Sequence, residues 1–282
     1  MTKNILILKM TVLSAGLAFL SGCGNNFNFQ GSQPTAAAST TASTPSAVGC
    51  NPQTASDLKI VTVWDASGST KGDDGKASIR AQTMLDFLSA NASQTNLSYS
   101  FSFFSAGFSM YDFLTPSWES QQVAFSEPTQ AFGSQTQAVT AVNSFVSLFN
   151  AGKINGSGTN YQEAFQSIQS AIAADFAKDP KASYVVIFMS DGEPNMGPST
   201  VDTIDPLVTS LMNSVGPGHI SVSTVYFWTG SPTPLETSIM QNIASTGQGQ
   251  FLSVGTTNNS AGSLNLNTMI QNLITVPGVA CQ

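Results

Sequence analysis

Five consecutive residues combine a carboxylate with two hydroxyls at alternate positions: Asp65, Ala66, Ser67, Gly68 and Ser69. They follow an apolar run at residues 58–64, at the point where that run stops. Side chains with this spacing can converge on one hard cation through oxygen atoms alone. The motif therefore predicts a metal site, provided that further oxygen donors come from elsewhere in the chain.

The elements that must position such a site are predicted by an alternation of β-rich and helical runs beyond residue 55. The β-rich runs are at residues 58–64, 97–104, 108–114, 184–189, 220–228 and 250–254. Helical spacing occurs at residues 76–91, 139–149, 165–176, 202–215, 235–245 and 266–274. We therefore expect an α/β domain with a doubly wound, mostly parallel six-stranded sheet, one antiparallel edge strand from a hairpin, and helices on both faces.

Further oxygen donors occur where such a sheet would place them. Ligands of doubly wound sheets bind outside the carboxyl ends of the strands. Asp191 follows the run at residues 184–189 almost directly, as Asp65 follows the first run. Thr159 lies in a glycine-containing turn that leads into the next helical run. If the two strands are neighbours, both carboxylates lie at one edge of the sheet.

In this order, Asp65-x-Ser67-x-Ser69, Gly158-Thr159 and Asp191-Gly192 resemble the motif of a von Willebrand factor type A domain, over roughly residues 55–280. The resemblance implies a metal-ion-dependent adhesion site made of Asp65, Ser67, Ser69, Thr159 and Asp191. It also implies a protein ligand that presents an exposed Asp or Glu side chain to the ion, with a glycan as the less favoured ligand. The alternative is that the hydroxyl residues only cap helices and bind no metal.

The choice of donors indicates which ion would bind. Two carboxylates balance one divalent cation, and three neutral hydroxyls leave it able to accept a carboxylate from a partner. All-oxygen octahedral coordination favours Mg²⁺ or Mn²⁺ over Ca²⁺. Asp73, Asp74 and Glu193 are further candidates for the rim of the ligand site. A solvated turn is the alternative for the first two, and simple exposure is the alternative for Glu193.

Residues 1–22 are expected to be a bacterial lipoprotein signal peptide. A basic start precedes an apolar stretch that ends in Leu-Ser-Gly-Cys at residues 20–23, which resembles a lipobox. The resemblance implies cleavage before Cys23, lipidation of that residue (palmitate among the acyl groups), and attachment to the membrane through lipid alone. An ordinary signal peptide with an incidental cysteine is the alternative. Gly24 favours the outer membrane of the bacterial envelope over the inner one, and the leaflet is left open.

Two further sequence features concern the segment after the lipidated cysteine. Residues 23–54 are rich in Ser, Thr, Ala and Pro, which predicts a disordered tether before a folded domain at residues 55–282. Cys50 and Cys281 bracket nearly all of that domain. In an oxidising compartment a disulfide between them is the simplest expectation, and two free thiols are the alternative.

The charge of the chain bears on its partners. The sequence has 9 basic and 16 acidic residues, a net charge of −7, and loss of the signal peptide makes it more acidic. No basic stripe exists to neutralise phosphates, so we expect no nucleic-acid binding. We expect a lipid-anchored, metal-dependent adhesion module without catalysis. The alternatives are an assembly component of an envelope, pilus or secretion machine that binds its partners without the metal, and a metal-assisted hydrolase, which lacks an evident general base.

Overall fold

The computed structural model describes residues 57–74, 77–118, 127–154, 156–228 and 231–255. Strands and helices alternate along these residues, as predicted from the sequence. The strands are β1 (Leu58–Asp65), β2 (Leu97–Phe104), β3 (Phe108–Asp112), β4 (Ser117–Trp118), β5 (Ser183–Ser190), β6 (Ile220–Trp228) and β7 (Gln248–Gly255). The helices are α1 (Thr70–Asp73), α2 (Ser78–Ala90), α3 (Gln135–Asn150), α4 (Tyr161–Phe176), α5 (Val201–Asn213) and α6 (Pro234–Thr246). None of these described helices is long and apolar enough to cross a bilayer.

The strands form one mixed sheet in the order β4-β3-β2-β1-β5-β6-β7. The five strands from β2 to β7 through β1 pair in parallel, whereas β3 and β4 continue the sheet by antiparallel pairing. The doubly wound, mostly parallel sheet with an antiparallel edge is therefore confirmed. The prediction of six strands omitted β4, because a two-residue strand with one apolar side chain is too short to produce a periodic pattern.

Strand β1 lies at the centre of the sheet and is buried on both faces. Ile60 and Trp64 pack on the face that is covered by α2 and α3. Val61 and Val63 pack on the opposite face, against α4, α5 and α6. A continuous apolar run is what a strand covered on both faces requires. The run ends at Asp65 because β1 ends there, on the side of the sheet where the parallel strands have their carboxyl ends.

The two neighbours of β1 bring distant segments to the same edge. The parallel register aligns Asp65 with Phe104 on β2 and Trp64 with Met189 on β5. Asp191, which follows β5, is therefore level with the residues that follow Asp65. The condition that the two strands be neighbours is met, so the two carboxylates lie at one edge of the sheet.

The antiparallel edge is held by the buried carboxylate of Asp112 at the end of β3. It accepts hydrogen bonds of 2.8–3.4 Å from the backbone N–H groups of Leu114, Thr115, Thr129 and Gln130. Burial alone would raise the pKa of Asp112, but these donors outweigh it and lower the pKa to about 2. One charged side chain thus joins two segments that are separated in the sequence.

Several predictions concern residues outside the described ranges. They are the signal peptide at residues 1–22, the lipidated Cys23, the tether at residues 23–54, the disulfide between Cys50 and Cys281, and the helix at residues 266–274. All of these stay predictions. The described residues all belong to one compact unit.

Candidate metal site

Asp65 is fully buried at the end of β1, and both of its carboxylate oxygens accept hydrogen bonds. Ser67 donates its backbone N–H to Oδ1 at 2.8 Å, which is the local turn that an aspartate forms with the residue two positions on. Ser190 at the end of β5 donates its hydroxyl to Oδ2 at 2.6 Å. Burial raises the pKa of Asp65, and the hydrogen bonds from Ser190 and Ser67 oppose that rise.

Three oxygen-bearing side chains of the predicted set form a continuous row. The hydroxyl oxygens of Ser67 and Ser69 are 3.0 Å apart. Ser69 donates its hydroxyl to Oδ1 of Asp191 at 3.2 Å. Ser67 and Asp191 are buried whereas Ser69, between them, is exposed, so the row reaches the surface at Ser69. The structure therefore brings together residues that are more than 120 positions apart.

One carboxylate oxygen of Asp191 is buried and has no partner in the described part of the chain. The residue is 7% exposed, and its Oδ2 atom has no hydrogen-bond partner among the described residues. Burial and the negative charge of Asp65 raise the pKa of Asp191 to about 8. A buried polar atom without a partner is costly. This oxygen therefore marks a position that a cation would occupy favourably.

Thr159 is placed at the same edge by hydrogen bonds on both sides of its loop. Gly156 donates its backbone N–H to the carbonyl of Ala66 at 3.3 Å and pairs with Ser67 in a parallel bridge. Thr159 itself donates its N–H to Oδ1 of Asn195 at 2.9 Å. Its carbonyl accepts the N–H groups of Asn195 and its neighbour at 3.1 and 3.2 Å. The loop therefore lies between the segments that follow β1 and β5.

The loop also depends on glycine at position 156 and on the helix start that follows Thr159. A Cβ atom at Gly156 would overlap the side chain of Ser105, so only glycine permits this close approach. Asn160 caps α4, since its Oδ1 atom accepts the N–H of Glu163 at 3.1 Å. Thr159 therefore lies immediately before the cap of α4.

The donor set fits a small, hard divalent cation. Adjacent ligands of an octahedral Mg²⁺ ion, at bond lengths of about 2.1 Å, are about 3.0 Å apart. The oxygen separations of 3.0 and 3.2 Å along Ser67, Ser69 and Asp191 are close to this value. Among the described residues, no group of three or more His, Cys, Asp or Glu side chains could hold a metal. The candidate site instead combines two carboxylates with hydroxyls, which suits Mg²⁺ or Mn²⁺ rather than a softer ion.

The three rim candidates lie in different environments. Glu193 is exposed, two residues after Asp191. Asp73 is half-buried at the end of α1, and its charge contributes to the raised pKa of Asp191, after burial and Asp65. Asp74 is 1% exposed and pairs with Arg80 at 2.7 Å, so its assignment to the rim is corrected. Its carboxylate is directed into the domain because it caps the following helix.

Four residues that contact the site were missed in the sequence: Arg80, Tyr161, Ser190 and Asn195. Ser190 bonds Asp65, and Asn195 bonds Thr159. The hydroxyl of Tyr161 donates to the carbonyl of Gly192 at 2.6 Å, beside Asp191. Ser190 had a usable signal, since it immediately precedes Asp191 at a strand end. The others act on backbone groups of distant loops, which no local pattern reveals.

Comparison with known proteins gives a likeness of fold. No protein-family model matches the chain, and no curated protein matches it. In the solved structures, it is similar to the human COPII-coat protein Sec24c, with 8% identity, a TM-score of 0.55, and coverage of 77% of this chain and 32% of that chain. It is similar to proximal thread matrix protein 1 from the mussel byssus, with 14% identity, a TM-score of 0.52, and coverage of 76% and 46%. The pilus adhesin SpaC from Lactobacillus rhamnosus GG is also similar, with 13% identity, a TM-score of 0.52, and coverage of 79% and 30%.

These identities are low, so the similarity concerns the fold alone. The chain spans about a third to a half of the length of these three proteins. The α/β fold implied by the resemblance to von Willebrand factor type A domains is the fold observed.

Proposed function

We propose that this protein is a lipid-anchored, metal-dependent adhesion module that binds an acidic side chain of a partner protein through Mg²⁺, with Mn²⁺ as an alternative ion. The observation that carries the proposal is the meeting of the two carboxylates and the hydroxyl row at one edge of the sheet, with Oδ2 of Asp191 buried and without a partner among the described residues. Buried polar atoms usually have a partner, and a bound cation would supply one for this charged oxygen.

Each residue of the site has a distinct part in this proposal. Asp65 and Asp191 supply two negative charges that a divalent cation would neutralise. Ser67, Ser69 and Thr159 supply neutral oxygen atoms, so that the bound ion keeps affinity for one more anion. When bound, Mg²⁺ supplies a Lewis-acidic coordination position for the carboxylate of the partner. The exposed Ser69 marks the side from which that carboxylate would enter.

The surface beside Asp191 offers room for the partner. A groove of about 360 Å³ is lined by Glu193, Pro194, Asn195, Gly197 and Ser199. Its lining begins two residues after Asp191, so residues next to the bound carboxylate of a partner would lie near this groove. The fold is shared with the pilus adhesin SpaC, which supports an adhesive role for this arrangement.

The remaining parts of the proposal concern the location of the protein. Cys23 is the proposed lipid anchor in the bacterial envelope, with the outer membrane preferred to the inner. The segment at residues 23–54 would act as the tether, and a Cys50–Cys281 disulfide would close the domain. In this arrangement the module reaches outward from the membrane and binds without catalysing a reaction.

Metal binding is tested by calorimetric titration of the full-length protein in detergent with Mg²⁺ after treatment with EDTA. Asp191→Asn should abolish binding, since it removes a charged donor and preserves the shape of the side chain. Asp86→Asn is the matched control, because Asp86 is an exposed carboxylate on α2 that bonds only a neighbouring glutamine in the described contacts. The proposal fails if wild-type protein takes up no Mg²⁺ or if both variants bind it equally.

Partner binding is tested by capture from envelope or target-cell extracts with and without EDTA. A partner retained in Mg²⁺ and released by EDTA, and not captured by Asp191→Asn, supports the proposal. Fixed partners that resist EDTA would support the assembly role instead, in which other faces of the domain bind without the metal. Mutation of acidic residues in the captured partner would then identify the carboxylate that is bound.

A further inference from the structure

A buried arginine lies directly beneath the candidate metal site. Arg80 on α2 is 1% exposed, and its guanidinium carbon is 5.6–6.0 Å from the centres of four aromatic rings. Its Nε atom donates to Oδ2 of Asp74 at 2.7 Å. Its Nη1 atom donates to the backbone carbonyl of Asp65, the first residue of the metal motif. The two arms of one guanidinium therefore contact both ends of the segment from Asp65 to Asp74.

That segment is closed by further hydrogen bonds. Asp74 accepts the N–H groups of Ile79 at 2.8 Å and Arg80 at 3.3 Å, so it also caps α2. The N–H of Asp74 donates to the carbonyl of Thr70 at 2.8 Å. The hydroxyl of Thr70 donates to the carbonyl of Ser67 at 2.7 Å. These hydrogen bonds fold the segment that carries the three oxygen donors into a closed loop, and Arg80 joins its two ends.

We propose that Arg80 is a positioning residue for metal binding: it holds the Asp65–Ser69 segment in the geometry that places its oxygen atoms on one ion. The inference rests on the proposed function. Planar guanidinium can contact two acceptors at a set angle, whereas an ammonium group contacts them as a point charge. Partners that orient metal ligands in this way commonly change metal affinity by about 10- to 100-fold when they are replaced.

The direction of the change in Mg²⁺ affinity distinguishes a positioning role of Arg80 from a purely electrostatic one. Arg80 carries a positive charge beside the site, which would repel a bound cation. If charge alone mattered, neutralising Arg80 would strengthen metal binding. If positioning matters, any change that removes the contact with the Asp65 carbonyl should weaken it, even when the charge is kept. Arg80→Lys keeps the charge and the partner Asp74, and it loses the second arm.

A second buried ion pair, made by Lys59 of β1, provides a matched control. Lys59, at the other end of the strand, bonds Asp175 at 2.6 Å, and its side chain is 10% exposed. It also lies over aromatic rings, at 5.2 Å from the centre of Phe132 and 5.9 Å from that of Tyr184. Lys59→Met therefore removes a buried cation of comparable surroundings far from the candidate site. It should destabilise the fold without affecting the metal.

The experiment measures two quantities in full-length protein: the Mg²⁺ dissociation constant by calorimetry, and the rise in unfolding temperature that Mg²⁺ produces over EDTA. Arg80→Lys should raise the dissociation constant at least about tenfold. At saturating Mg²⁺ a tenfold loss reduces the stabilisation by about 1.4 kcal/mol, so the temperature rise should shrink. Lys59→Met should lower both unfolding temperatures alike and leave the dissociation constant within about twofold.

The outcomes distinguish the two claims. Absence of Mg²⁺ binding to wild-type protein would refute the proposed function. Wild-type binding together with unchanged affinity in Arg80→Lys would overturn the positioning role and leave the proposed function intact. If Arg80→Lys does not fold, the double variant Asp74→Asn/Arg80→Gln removes both charges without leaving one unpaired. Weakened Mg²⁺ binding in that neutral pair supports positioning, and unchanged or stronger binding refutes it.

Discussion

Replacement of Asp191 by asparagine removes one of two buried negative charges and preserves the shape of the side chain. The amide oxygen can still accept the hydroxyl of Ser69, which is 3.2 Å from Oδ1 in the structure. The change has opposite consequences in the two states of the protein. Without metal it relieves the repulsion with Asp65, because an amide carries no charge. With metal it removes a charged ligand.

The pH dependence of the effect follows from the raised pKa of Asp191. Burial and Asp65 raise the pKa of Asp191 from 3.8 to about 8, so the folded state without metal binds its proton more tightly than the unfolded state. Stability therefore falls as pH rises from about 4 to about 8, by up to about 1.4 kcal/mol per pH unit. An amide does not titrate and avoids this loss, so near neutral pH we expect metal-free Asp191→Asn to be more stable than wild type by at least about 1.4 kcal/mol.

The assay is denaturant unfolding in EDTA and in saturating Mg²⁺, at a mildly acidic and a mildly alkaline pH. In EDTA the variant should be more stable than wild type, and the difference should grow with pH. In Mg²⁺ the order should reverse, because only wild type gains stability from the ion. Asp86→Asn should match wild type in all four conditions. A variant that is destabilised in EDTA, or a wild type whose metal-free stability rises over this pH range, would refute the reasoning.

Three further changes test other parts of the structure. Gly156→Ala forces a Cβ atom into a neighbouring serine and should cost about 1–3 kcal/mol, whereas Gly72→Ala meets nothing within 4 Å and should leave the unfolding free energy nearly unchanged. Asp112→Asn should lower the free energy of unfolding by about 2 kcal/mol above pH 4. Because the pKa of Asp112 in the folded state is lowered to about 2, wild type should lose the same stabilisation as pH falls from about 4 to about 2, which acid unfolding would measure. Tyr161→Phe removes the buried 2.6 Å bond to the Gly192 carbonyl and should cost about 1 kcal/mol and weaken Mg²⁺ binding in calorimetry; equal affinity would show that this bond does not support the site.

Much of the site was predictable because its donors are concentrated in short segments. Asp65, Ser67 and Ser69 are local neighbours, and their oxygen chemistry is evident from residue type and spacing. Thr159 and Asp191 each follow a recognisable element, and the apolar runs predicted the strands that carry them. The hairpin of β2 and β3 was predicted for the same reason. Asp74 was placed wrongly because a loop aspartate between glycines has the same local pattern whether it is solvated or buried.

The amino-acid sequence by itself determined the donor types, their order and the alternation of strands and helices, since these depend on local spacing and hydrophobic periodicity. The tertiary structure alone decided that β1 and β5 are neighbours, which brings Asp191 to the Ser69 hydroxyl. It also decided that Asp74 faces inward toward Arg80, and that one oxygen of Asp191 is buried without a partner among the described residues. These features depend on contacts between segments far apart in the chain. Burial and the pKa of a carboxylate arise from such contacts, and no local pattern contains them.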